Sequence, residues 1–125
     1  EGINVNLTLA EASVEGDGEQ AYVYVAMSDI SGTMLDDEGA IQLTNDDARC
    51  GGVFRMPLQA GYDVARLEMV ELGGPYQPTD EANTCSVDGL SGPDNVAVMN
   101  DGRILIGEDT GNHENNMVWL LDPES

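Results

Sequence analysis

The sequence predicts an all-β fold made of antiparallel four-stranded units, about two of them. Three observations carry that prediction. Short apolar runs rich in β-branched and aromatic residues recur along the chain and are divided by turn-forming residues. No stretch sustains a helical apolar stripe. The order of strand, hairpin, acidic loop and strand occurs twice.

Taken in order, residues 2–5 (Gly-Ile-Asn-Val) read as a short first strand. Residues 21–27 (Ala-Tyr-Val-Tyr-Val-Ala-Met) form a second, ending in the polar turn Ser28-Asp29. Residues 52–58 read as a third. Residues 66–72 alternate with period two, as a half-buried outer strand does. Residues 95–99, 103–106 and 117–121 complete the set, and Asn100-Asp101-Gly102 is a hairpin signal between two of them. Residues 31–49 and 73–91 are turn-rich and read as long loops, a length that calls for a function or for pinning. Trp119 and Phe54, with Met27, Met56, Met69 and Met117, fall in strand patterns and are expected to pack.

The repeat divides the chain into a first unit, residues 1–72, a linking loop, 73–92, and a second unit, 93–125. Four antiparallel strands repeated in series are the blades of a β-propeller. The second unit stops before its fourth strand, and propellers close with about four blades or more. Three arrangements remain open: part of a longer chain, several copies together, or a two-sheet sandwich. The opening residues contain no initiator Met and no signal peptide, so a processed product or a fragment is expected.

Composition narrows the partners. The chain has 125 residues, 24 Asp plus Glu, four Arg, no Lys and a net charge of -20. Such a surface repels nucleic acid and anionic membrane, and it attracts cations. Acid in excess with no Lys also suits a salty medium, where ionic strength screens self-repulsion. Apolar residues make up 41%, enough to argue for a core and against disorder. No run of about 18 apolar residues exists, so no membrane-spanning helix is expected. Cys50 and Cys85 lie outside any metal-binding spacing, which fits one disulfide in an oxidising compartment; two buried thiols are the alternative.

The chemistry concentrates in residues 107–116 (Gly-Glu-Asp-Thr-Gly-Asn-His-Glu-Asn-Asn) between two apolar runs. Three carboxylates, the sole His and three Asn amides form a set of hard oxygen donors that suits calcium or magnesium, and His with carboxylates suits a transition metal. Glu1 and Asp94-Asn95 stand at the start of matching inner strands; Ser28-Asp29 and Glu108-Asp109 stand at the end of the next. Acids repeated at matching positions can converge on one cation, which offsets their repulsion. The geometry expected is Asp94 beside Glu108, with Glu108 directed to the axis and Asp109 bonding the amides of residues 111–113. The alternatives are that Asp94 and Asp109 cap turns and that His113 is an exposed loop residue. No serine-nucleophile, phosphate-loop, dinucleotide or EF-hand motif occurs.

Residues 24–30 (Tyr-Val-Ala-Met-Ser-Asp-Ile), 49–54 (Arg-Cys-Gly-Gly-Val-Phe), Pro93-Asp94-Asn95 and the run from Ile106 to His113 with Asn115, Asn116, Met117, Val118 and Trp119 resemble the PhoX-type alkaline phosphatases. Glu1-Gly2-Ile3 resembles the Glu-Gly element before an inner strand of that family. The resemblance implies a secreted β-propeller phosphomonoesterase that uses calcium and iron in its channel. It implies metal contact by Glu1, Asp94, Glu108 and Asp109, with His113 and Asn95 nearby. The substrate implied is a phosphate monoester, and the partners implied are the remaining blades, or other copies, over the open strand edges. Family members are several times longer, and their earlier Asn-Cys-x-Gly-Gly motif has no counterpart here, so this chain alone is expected to lack a complete active site. A non-enzymatic calcium-binding or surface-assembly module is the competing expectation.

Overall fold

The computed structural model describes the backbone of residues 3–14, 18–30 and 34–124, with side chains from residue 21 on, Tyr62 excepted. The chain is mostly β. A four-stranded antiparallel sheet runs in chain order through β1 (Ile3–Val14), β2 (Gly18–Met27), β3 (Gly52–Pro57) and β4 (Glu68–Leu72). A three-stranded antiparallel sheet follows with β5 (Pro93–Val98), β6 (Ile104–Glu108) and β7 (Val118–Leu121). Neither sheet closes on itself. Among the described residues, helix is confined to one turn, α1 (Asn45–Ala48), and a 3₁₀ turn at Ala60–Tyr62. Thr44 caps α1 by accepting the Asp47 N–H.

The first strand is longer than the sequence reading made it. β1 continues to Val14 and forms a long hairpin with β2, with a shift of register between Val5 and Leu9. Ile3, Val5, Leu7 and Leu9 carry the period-two signal of that extension. The hairpin at residues 100–102 forms as expected. Gly102 has φ of +87°, and its N–H donates to the Met99 carbonyl at 3.0 Å. Arg103 closes the turn with its backbone N–H on Asp101 Oδ1 and its side chain on Oδ2, and these bonds hold the Asp101 carboxyl below its usual range.

One face of the first sheet packs on the second sheet. Tyr24, Ala26 and Val53 meet Val96, Ile104 and Ile106, with Leu90 from the connection between the sheets. The opposite face is covered as well: Phe54 packs with Ile30, Met34 and Ala48, and Met27, Leu35, Ile41, Leu43 and Leu67 surround them. Burial on both faces explains why residues 21–27 read as a continuous apolar run and do not alternate. β5 also lies against β1 and β2. Of the methionines expected to pack, Met69 is instead exposed, on the outer strand β4.

Cys50 and Cys85 form a disulfide with Cα atoms 5.9 Å apart. It does not join the two sheets directly. It ties Cys50, two residues before β3, to the connection between Leu72 and Pro93. Backbone bonds reinforce the tie: the Gly92 N–H donates to the Cys50 carbonyl and the Gly73 N–H to the Gly51 carbonyl. A disulfide is compatible with an extracellular location, and no described helix is long and apolar enough to cross a membrane.

Two of the arginines converge on one carboxylate. Arg55 bonds Glu68 at 2.8 Å and lies 4.2 Å over the Tyr22 ring; Arg66 reaches the other Glu68 oxygen. The bond from Arg55 holds the Glu68 carboxyl below its usual range against the opposing effect of burial, and Arg66 adds to it. Stability from this pairing is therefore present above the carboxyl's unfolded pKa and is lost as pH falls through the lower folded value.

Two predictions follow from this packing. Replacing both cysteines by alanine removes a cross-link across 35 residues, and it should lower stability in chemical denaturation by about 3–4 kcal/mol in the chain-entropy view. An unchanged denaturation midpoint would contradict the closure argument. Glu68→Gln should be less stable than the native chain at neutral pH, with the gap closing on acidification. A gap that does not vary with pH would show that the ion pairing contributes nothing.

Candidate functional site

The loop with the densest chemistry leaves β6 at Glu108 and returns to β7 at Val118. β6 puts Ile104 and Ile106 into the core, and its alternation carries Glu108 to the same inner side. The Glu108 carboxylate and the His113 ring both have 0% of their side-chain surface exposed. A buried carboxylate is tolerated only when its lone pairs are met. Here they are. Oε1 accepts the Ser91 N–H at 3.0 Å and the Trp119 indole N–H at 2.6 Å. Oε2 accepts the Met117 N–H at 3.0 Å and lies 2.8 Å from His113 Nδ1. His113 Nε2 lies 3.0 Å from the Ser86 carbonyl oxygen; that carbonyl and the Glu108 carboxylate both only accept, so the two contacts are hydrogen bonds together when each ring nitrogen carries a hydrogen.

The rest of the loop holds itself and its neighbour. The Asn112 N–H donates to Thr110 Oγ1, and the Thr110 N–H to Asn116 Oδ1. Thr110 Oγ1 also meets Ser91 Oγ at 3.0 Å. Thr84 Oγ1 donates to Asn112 Oδ1, the Cys85 N–H to the Asn112 carbonyl, and the Glu114 N–H to Asn83 Oδ1. Gly92 sits so close to this loop that a Cβ there would lie 2.7 Å from Thr110 Cβ, and its φ of +50° also favours glycine. The loop at 109–117 and the connection at 83–92 are thus one hydrogen-bonded unit around Glu108.

The expected site residues fall as follows. Pro93 lies opposite Glu108 and Asn95 opposite Gly107, with Asp94 at the irregularity between them. Asp94 and Glu108 therefore start from the same end of the sheet, and the Glu108 carboxylate is buried. Asp94 accepts from Asn95 Nδ2 at 3.0 Å. Asp109 is exposed; its backbone N–H donates to the Gly92 carbonyl, and Thr110 and Asn116 perform the turn bonding expected of it. His113 is buried, where an exposed loop residue was the simplest expectation. Glu1 lies outside the described residues. Ser86, Ser91 and Trp119 were not singled out as site residues. The signal for Trp119 was its indole N–H, which needs an acceptor when the ring packs.

The resemblance implies calcium and iron at these donors. Among the described residues, no three His, Cys, Asp or Glu side chains gather closely enough to hold a metal ion. Both Glu108 oxygens already accept from the protein. The described residues do not by themselves fit a metal centre.

No protein family, curated protein or solved structure matches this chain.

Glu108→Ala strips the acceptor from an indole, an imidazole and two backbone amides at once. It should cost about 3–5 kcal/mol, as the breaking of a buried charged pair does. Glu108→Gln keeps the shape but turns one acceptor into a donor, and it should cost about 1–3 kcal/mol. Denaturant titration of both variants checks this ranking. A loss below about 1 kcal/mol for Glu108→Ala would mean the carboxylate is not buried as described.

Proposed function

We propose that this chain forms two consecutive blades of a secreted, PhoX-like β-propeller phosphomonoesterase, and that its part in that enzyme is architectural. The observation that carries the reading is the repeated meander. Each sheet runs in chain order, the two stack face to face, and their first hairpins match, Ile3 opposite Met27 and Pro93 opposite Glu108. Successive blades of a propeller stack in this way. The ordered motifs quoted for the resemblance point to the same family. The disulfide suits a secreted protein. On this reading Glu108 and His113 brace the loop at one end of a blade, and the groups that act on a phosphate monoester lie outside the described residues. Calcium and iron belong to the proposal through the resemblance alone.

A second reading has its own support. The full hydrogen bonding of Glu108 gives the acidic loop a structural part and supports a non-enzymatic calcium-binding structural or surface-assembly β module.

Natively purified protein separates the two. The phosphatase reading expects calcium and iron on metal analysis and release of p-nitrophenol from p-nitrophenyl phosphate. Protein that holds neither metal and gives no turnover excludes it and leaves the assembly module. Either reading expects a salt- or calcium-dependent fold, because a net charge of -20 opposes compaction. The melting midpoint should be higher in added calcium than in chelator at low salt. Equal midpoints would refute cation stabilisation.

A further inference from the structure

The connection between the sheets divides into two parts. Its ends are held by the body of the protein. The Gly73 N–H donates to the Gly51 carbonyl, the Gly74 N–H to the Leu90 carbonyl and the Gly92 N–H to the Cys50 carbonyl. Leu90 enters the layer between the sheets. Residues 75–88 form a lobe bonded mainly to itself. The Ser86 N–H donates to the Pro75 carbonyl, the Gln77 N–H to the Thr84 carbonyl and Gln77 Nε2 to the Asn83 carbonyl. Within residues 75–88, Cys85 alone is buried. Arg49 lies 5.1 Å over the Tyr76 ring, an exposed contact that adds little. The lobe has no apolar core of its own, and its buried anchor is the disulfide to Cys50.

The tip of the acidic loop is held by that lobe. Thr84 Oγ1 donates to Asn112 Oδ1, the Cys85 N–H to the Asn112 carbonyl and the Glu114 N–H to Asn83 Oδ1. His113 Nε2 meets the Ser86 carbonyl. The root of the loop is held at the strand ends. The Asp109 N–H donates to the Gly92 carbonyl, and Glu108 accepts the Ser91 and Met117 N–H groups. The root therefore stands on the sheets, the tip stands on the lobe, and the lobe stands on one covalent bond.

We propose that the Cys50–Cys85 disulfide is a redox latch on the acidic loop. Two electrons and two protons pass from a dithiol to the bond; the S–S bond breaks, two thiols form, and the dithiol closes to its own disulfide. In the reduced chain the lobe and the loop tip open as one unit, because few buried apolar contacts hold either. His113 then leaves Glu108 for solvent. The sheets stay folded, since neither apolar cluster includes a cysteine. Reoxidation closes the lobe and buries His113 again, so the loop takes its closed form only in an oxidising compartment. The latch holds under either reading of the function.

The test compares the oxidised full chain with chain unfolded in dithiothreitol and refolded in its presence, in salt at which the oxidised chain is folded. Hydrogen exchange of amides 76–88 and 111–116 should become at least about tenfold faster on reduction. Amides of β2, β3, β5 and β6 should stay protected. A Cys50→Ser, Cys85→Ser chain should match the reduced one. In that chain His113, the sole histidine, should react with diethyl pyrocarbonate, while in the oxidised chain it should resist. Coupling is reciprocal, so His113→Ala, which keeps both cysteines, should be reduced at an at least about fivefold lower ratio of reduced to oxidised dithiothreitol. Unchanged protection of the lobe and of His113 after reduction would overturn the proposal. So would loss of the sheet amides together with the lobe, which would make the disulfide a staple of the whole fold. An unshifted reduction midpoint in His113→Ala would also overturn it. None of these readouts involves turnover, so failure here leaves the phosphatase reading standing.

Discussion

The carboxylate of Glu108 is the point on which the second half of the molecule depends. It sits at the end of β6, out of solvent, and accepts from a backbone amide of the connection, a backbone amide at the start of β7, an indole and an imidazole. A buried carboxylate without those partners would be strongly unfavourable. With them it fixes four chain segments relative to one another. Trp119 is held in the inter-sheet layer, and His113 is held against the Ser86 carbonyl. An apolar residue at this position would fill space but could not specify where the surrounding loop goes. The disulfide works on the same connection from the other side, because Cys85 is bonded both to Cys50 and, through its amide, to the loop at Asn112.

This arrangement changes how an acidic, oxygen-rich loop should be read. The same residues that make a plausible donor set for calcium also make good loop cement. Asn and Thr side chains bond nearby amides, and Asp and Glu accept where backbone donors converge. Asn112 and Asn116 each bond a backbone or hydroxyl donor in the loop or in the adjoining connection. Asp109 is the acid of the trio that stays at the surface nearest the end of β6, and Asp94 stands at the irregularity opposite.

Much of the fold was legible because strand signals are local. The positions of β2 to β7 follow from β-branched and aromatic runs and from turn residues such as Asn100-Asp101-Gly102. The length of β1 was missed, since Asn and Thr interrupt its apolar residues and hide an alternation that runs from Ile3 to Leu9. The direction of Glu108 was not legible. Periodicity places it on one face, but whether that face meets an open axis or a packed indole depends on the connection at 86–92, which lies distant in sequence and carries no motif. His113 shows the same limit. Its burial is set by Glu108 and by the Ser86 carbonyl, and only the folded chain brings the latter to it.

The chain holds one tryptophan and one histidine, so nuclear magnetic resonance can address the Glu108 cluster without ambiguity. Hydrogen exchange at the Trp119 indole N–H, followed with and without calcium, is the most direct measurement. A buried bond to a carboxylate predicts slow exchange and a resonance that calcium leaves in place. Rapid exchange, or a resonance displaced as calcium is added, would show that Glu108 is open to solvent or to a metal ion, and would contradict its role as the internal anchor of this loop.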